Sequence, residues 1–216
     1  MEEYEQILRA ITLAMGAAWA SGVNLYAALL TLGVLGVTGN MVLPPEFQVL
    51  QHPMVLTAAG LMFAVEFFAD KIPGVDTGWD AIHTFIRIPA GALLAAGAIS
   101  EVNPDLAVAA AIVGGGIAAG SHVTKAGSRV LINASPEPFS NWFASLTEDI
   151  AVMGGIWLAL AHPYIFLVCF LLFLVLMVWL LPRIWGGIKK VFSFFSRLGK
   201  GNSPGRDEHP PPPCCP

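Results

Sequence analysis

The chain has 216 residues, 56% of them hydrophobic and only 12% charged, with a mean hydropathy of +0.68. Soluble domains carry about 25% charged residues, so a water-soluble enzyme or binding module is excluded and an all-helical integral membrane domain is expected. The net charge of −4 hides a segregation, because six of the eleven basic residues fall between Arg183 and Arg206; no part of it points to a nucleic-acid partner.

Residues 5–37 read as helical and, at about 1.5 Å per residue, too long for one straight crossing. The small-residue run Gly16-Ala17-Ala18-Trp19-Ala20-Ser21-Gly22, followed by Val23-Asn24-Leu25-Tyr26, predicts a break near Gly22. The opening Met1-Glu2-Glu3-Tyr4-Glu5 has no basic n-region, so no removable signal peptide is expected. Residues 40–52 form a loop without Lys or Arg, and 54–70 the next apolar helix, ended by Lys71-Ile72-Pro73-Gly74. Asp76 can cap a helix to about Ile88, which Pro89 kinks or ends. Residues 90–100 continue as a small-residue segment. Asn103-Pro104-Asp105 opens the segment 106–132, whose Gly114-Gly115-Gly116-Ile117-Ala118-Ala119-Gly120 and Ser121-His122-Val123-Thr124 predict a second break. Residues 141–161 make a fifth crossing. Residues 163–181, free of charge, make the sixth. Residues 183–198 form a basic amphipathic juxtamembrane segment suited to an anionic lipid surface, and 199–216 a disordered proline-rich tail. Cys169 lies in an apolar helix and Cys214-Cys215 close the tail, so no disulfide framework is expected.

Each broken segment is followed by a proline-acid loop (Pro44-Pro45-Glu46-Phe47, then Pro136-Glu137-Pro138-Phe139) and by an apolar helix with two carboxylates. Six crossings with two Gly-interrupted helices then divide into halves 5–100 and 103–182 of three crossings each, an inverted repeat of the kind transporters use. Basic residues after the last helix place the C-terminus in the cytoplasm. Counting back six crossings places the N-terminus there too.

The polar residues of the first half recur at helical spacing. Glu66 and Asp70 share a face, and Asp76, Asp80, His83 and Arg87 form one stripe. The stripe reads as an ion-pair ladder, a proton or substrate relay, or a metal site built on Asp80 and His83. In the second half His122, Lys125 and Arg129 make a cationic face after Ser121, suited to a small anion or lipid headgroup, or alternatively a positive-inside flank satisfied by Glu137 or Glu148. Asn24 holds the corresponding place in the first half, as a cap or a binding residue. Glu148 and Asp149 point about 100° apart, so they cannot both face one ligand. Glu66, Asp70, Glu148 and Asp149 are the candidate proton or ion relay. Glu66, with no adjacent cation in the sequence, is the preferred carrier. No nucleophile motif, phosphate loop or zinc spacing occurs; no cofactor or metal is expected, and the chain is not expected to be an enzyme.

Residues 66–95, with Lys125-Ala126-Gly127-Ser128-Arg129 and Ser135-Pro136-Glu137-Pro138-Phe139-Ser140-Asn141, resemble a family of small bacterial membrane proteins catalogued as domain of unknown function 4126. The likeness runs to about Pro163, with the final helix, basic stretch and tail outside its strongest part. It implies a multi-pass protein of the bacterial inner membrane and carries no substrate or activity. The expected function is a transporter, channel or lipid- or anion-translocating protein with its site between the broken helices, in contact with lipid and probed as a homo-oligomer. The alternatives are a structural or assembly protein whose charges hold helices together, and a membrane-embedded metal-dependent enzyme.

Overall fold

The computed structural model describes residues 2–100, 102–134 and 138–200. It is all-helical: α1 (Glu2–Val37), α2 (Pro53–Ala69), α3 (Val75–Ser100), α4 (Ala107–Asn133), α5 (Pro138–Ala161) and α6 (Pro163–Lys200), with short 3-10 turns at Pro45–Gln51 and Pro104–Leu106. Five helices are long and apolar enough to cross a membrane. The turn Pro45–Gln51 and α2, bent by 72° at their junction, make a sixth candidate. The expected proline-acid loop around Glu137 and the tail beyond Lys200 lie outside the described residues.

The outside of the molecule is apolar, and the inside holds charged groups beside an alanine- and leucine-rich core. Large apolar side chains such as Leu61, Phe85, Leu93, Ile112, Phe143 and Val168 are exposed, whereas Glu66, Asp76, Arg87 and Arg129 are fully buried. This is the arrangement of a chain whose solvent is hydrocarbon, where ionisable groups turn toward the bundle interior. The architecture is consistent with a membrane protein.

α1 and α4 begin from similar sequences and end differently. Helical geometry in α1 is interrupted at one residue, Asn24 (φ −148°, ψ 96°). The Asn24 side chain compensates, its Oδ1 accepting from Ala27 N at 2.9 Å as an N-cap does, while Lys125 Nζ donates to the Val23 carbonyl at 3.0 Å. The two limbs of α1 fold back toward one end of the bundle. A Cβ on Gly36 would lie 2.8 Å from Leu43, yet Leu43 shares a cavity of about 380 Å³ with Ala10 and Leu13. In a straight helix Leu13 and Gly36 would stand about 35 Å apart.

α4 has no such break; it is one α-helix from Ala107 to Asn133, which corrects the expected second interruption. Its glycines serve close helix contact instead. Ser121 Oγ bonds to the Trp19 carbonyl of α1 at 3.1 Å and back to Ile117 at 3.0 Å. Directly opposite, any Cβ on Gly22 would collide with the Ser121 hydroxyl and the Ala118 carbonyl. Small residues therefore mark a tight crossing of α1 and α4.

Two boundaries also move. α3 passes through Pro89 as one helix to Ser100, and α6 passes through Pro182 to Lys200, so the basic segment 183–198 continues the last helix. The fold-back of α1 changes the topology as well. Glu5 and Arg9 line a cavity with His162 and Tyr164 at the α5–α6 turn, while Ile184 of α6 lies against Gly127 far along α4. The first turns of α1 and Ile184 of α6 accordingly lie at opposite ends of the bundle.

Candidate functional site

Five helices send polar side chains to one buried focus beside the break in α1. From α3, Arg87 reaches back along its own helix to Asp80 (Nη1–Oδ1, 2.8 Å) and across to Glu66 of α2 (Nη2–Oε1, 2.6 Å). From α4, Lys125 Nζ lies 2.8 Å from Asp70, 3.5 Å from Glu66, 3.6 Å from Glu148 and 3.8 Å from Asp80. One turn on, Arg129 pairs with Glu148 at 2.7 Å and Asp70 at 3.7 Å. The same guanidinium donates to the Asp70 carbonyl and to both oxygens of Asn141. Asp149 of α5 accepts from Asn24 Nδ2 at 2.8 Å.

Asp76, at the start of α3, is satisfied by neutral donors: Gly74 N at 2.9 Å, Thr77 N at 2.6 Å, Asn133 Nδ2 at 2.9 Å and Asn141 Nδ2 at 3.4 Å. Lys71, in the turn between α2 and α3, does not pair with Asp70. Its Nζ donates to the Phe67 carbonyl at 3.0 Å, over the Phe67 ring, and burial pushes its ammonium below the usual lysine range, against the pull of Asp149 and Asp70.

The two histidines complete the edge of the site. The Thr84 hydroxyl donates to the Asp80 carbonyl at 3.0 Å, so its oxygen accepts from His122 Nε2 at 2.7 Å, leaving His122 Nδ1 to accept from Arg87 at 3.4 Å. His83 Nδ1 donates to the Trp79 carbonyl at 2.9 Å, and its Nε2 shares a hydrogen bond with the Tyr26 hydroxyl at 3.2 Å.

The structure thus brings together Asn24, Glu66, Asp70, Asp80, Arg87, His122, Lys125, Arg129, Glu148 and Asp149, with Asp76 and His83 at the periphery and Ser121 one turn away at the helix crossing. One sequence expectation changes: Glu66 does have a cation, Arg87, which lies 21 residues on. The cationic face of α4 meets Glu148, as one reading of the sequence expected, and Asp70 as well. Among the described residues, no group of three or more Asp, Glu, His or Cys side chains has the geometry of a metal site. Asn133, Asn141, Ser145, Thr84 and Tyr26 were missed. Asn133 stands four residues after Arg129, and Asn141, Ser145 and Glu148 recur at helical spacing on α5, so two of the stripes could have been extended by counting.

A model of a family described as a domain of unknown function (DUF4126) matches residues 11–183. The chain belongs to the DUF4126 family. The match takes in every residue of the network and most of α6, so the family reaches well beyond the Pro163 limit of the sequence likeness. Comparison with curated proteins and with solved structures returned no match.

Proposed function

We propose that this DUF4126 protein is a membrane carrier or channel for protons or a monovalent cation, working through the buried network beside the α1 break. The observation that carries this reading is a charge surplus. Six buried or nearly buried carboxylates (Glu66, Asp70, Asp76, Asp80, Glu148, Asp149) face four cations (Lys71, Arg87, Lys125, Arg129). Charges buried in low dielectric are strongly unfavourable unless balanced. Two further positive charges complete the balance, and protons on carboxylates supply them without new ligands. The reading favours a proton or cation over an anion, because Lys125 and Arg129 are already engaged by carboxylates. Glu148, whose side chain is 18% exposed, is the network's most accessible carboxylate and its entry point.

In a bilayer the folded-back α1 is a re-entrant hairpin whose tip is at Asn24, the kind of backbone interruption tolerated only where protein or a cavity receives it. Glu2, Glu3, Glu5, Glu46 and Asp105 lie at the end of the bundle that holds the N-terminus, and Lys71, Lys189 and Lys190 toward the other. The positive-inside rule then places the C-terminus in the cytoplasm and the N-terminus outside. Bacterial inner-membrane residence and self-association belong to this proposal too.

The test is proton uptake into liposomes holding the purified chain and a trapped pH dye, under an imposed gradient. Uptake above empty liposomes that is lost in Glu148→Gln supports the reading; uptake equal to empty liposomes refutes it. A second reading has its own support: the four described cavities are lined by other residues, so the network also fits a purely structural brace. On that reading every network variant loses stability and none changes uptake.

A further inference from the structure

We propose that Asp149 is the exchangeable proton site of this network and that its charge sets how firmly the tip of α1 is held. The proposal rests on the proton-linked reading above and names the residue and the moving part. Among the six carboxylates, Glu66, Asp70, Asp80 and Glu148 each lie within ion-pair distance of at least one cation, and Asp76 receives several neutral donors. Asp149 makes no ion pair among the described residues. It is 5% exposed, its Oδ1 accepts one bond from Asn24, and its Oδ2 has no partner. Glu66, Asp70 and Asp80 also keep one oxygen without a partner, but each has a cation against it; a carboxylate this deep with an unpartnered oxygen and no ion pair is the one most readily neutralised by a proton.

Its single partner is the one non-helical residue of α1. The amide of Asn24 is fixed in orientation, because Oδ1 is engaged by Ala27 N and only Nδ2 can turn to Asp149. The charged groups that face Asp149 are Lys125 from α4, Asp70 from the end of α2 and Lys71 from the turn after it, with Glu148 beside it on α5. A hydrogen bond to an ionised carboxylate is roughly twice as strong as one to a neutral group. Protonating Asp149 therefore slackens the tie between α5 and the α1 tip and frees the second limb, residues 25–37, which packs on α2 and the Pro45–Gln51 turn through Gly33 and Gly36.

The experiment uses the full chain in lipid nanodiscs, followed across pH by infrared difference spectroscopy of the protonated-carboxyl C=O stretch and by amide hydrogen exchange at residues 23–28. In the native chain a carboxyl band over and above that of the exposed carboxylates grows as pH falls, and exchange at the tip, referred to the intrinsic amide rate at each pH, rises with it by about tenfold, the effect of weakening one charge-assisted bond. Asp149→Asn removes that band and makes the referred tip exchange independent of pH. Asp149→Glu, which keeps an acid on a longer stem, keeps the band with a displaced midpoint and serves if the Asn variant does not fold. The proposal is overturned by a native chain with no band, by a band or an exchange rise that persists in Asp149→Asn, or by an unmoved midpoint in Asp149→Glu. Band and exchange changes without uptake into liposomes leave this proposal standing and remove the carrier reading. Uptake retained with an undiminished band in Asp149→Asn does the reverse.

Discussion

Lys125 is the cation on which the network converges, and replacing it tests the electrostatic argument most directly. Lys125→Met keeps the length and apolar bulk of the side chain while deleting its charge and three donors. Asp70 then loses its 2.8 Å partner and retains only Arg129 at 3.7 Å, while the Val23 carbonyl at the α1 break loses its 3.0 Å donor. Breaking a buried ion pair from one side costs about 3–5 kcal/mol, and an orphaned buried carbonyl about 1–3 kcal/mol. A loss of about 4 kcal/mol or more corresponds to a fall in Tm on the order of 10 °C for a domain of this size. The measurement is thermal unfolding of purified protein in one fixed detergent, native against variant. Because the penalty comes from uncompensated carboxylates, it is fully present near neutral pH and shrinks as pH falls and they become protonated. Adding Asp70→Asn to Lys125→Met should restore roughly half the loss. A fall smaller than about 3 °C, or one equally large at acidic pH, would refute the view that Lys125 holds these carboxylates.

The remaining predictions use other parts of the molecule. Arg87→Lys should lower stability by about 2–4 kcal/mol in the same unfolding assay, because a point charge cannot hold Glu66 and Asp80 at once as the guanidinium fork does. Gly22→Ala should destabilise by about 1–3 kcal/mol through collision with Ser121 and Ala118, whereas Gly116→Ala, with open space around it, should be neutral or stabilising by up to about 1 kcal/mol. With native cysteines replaced, single cysteines at Glu3 and Val42 should react with an impermeant thiol reagent from one side of the membrane and one at Lys190 from the other; labelling of Glu3 and Lys190 positions from the same side contradicts the fold-back of α1.

Much of the helical layout was legible because it rests on local patterns. The apolar runs and the Pro-Gly punctuation after Asp70 placed α2, α3, α5 and the start of α6 close to where they lie, and the spacing of Asp76, Asp80, His83 and Arg87 put them on one buried face. What the sequence hid was set by partners far along the chain. Gly22-Val23-Asn24 and Gly120-Ser121-His122 look alike as text, yet only the first interrupts its helix. At the first, the Asn24 side chain, held by Asp149, takes up the freed Ala27 amide and Lys125 takes up the Val23 carbonyl, while Ser121 spends its hydroxyl on its own helix and on Trp19. The pairing of Glu66 with Arg87 depends on how a five-residue turn aims two helices, which periodicity does not encode. Counting six crossings assumes in the same way that each long helix passes straight through, and α1 is interrupted at Asn24.

The distances along the chain between ionic partners bear on how the protein is made. α2 leaves the ribosome carrying Glu66 and Asp70, but their counter-ions arrive 21 residues later on α3 and 55 residues later on α4. An acidic side chain at the centre of a lone helix in the bilayer costs about 2.5–3.5 kcal/mol, and Glu66 in the last turn of α2 and Asp70 just past it carry part of that cost. Their burial in the bundle therefore has to wait for Arg87 and Lys125. Segments α2 to α4 would then settle as one unit, with a single cysteine near Glu66 open to an impermeant thiol reagent in a chain truncated after Ser100 and protected in one truncated after Asn133.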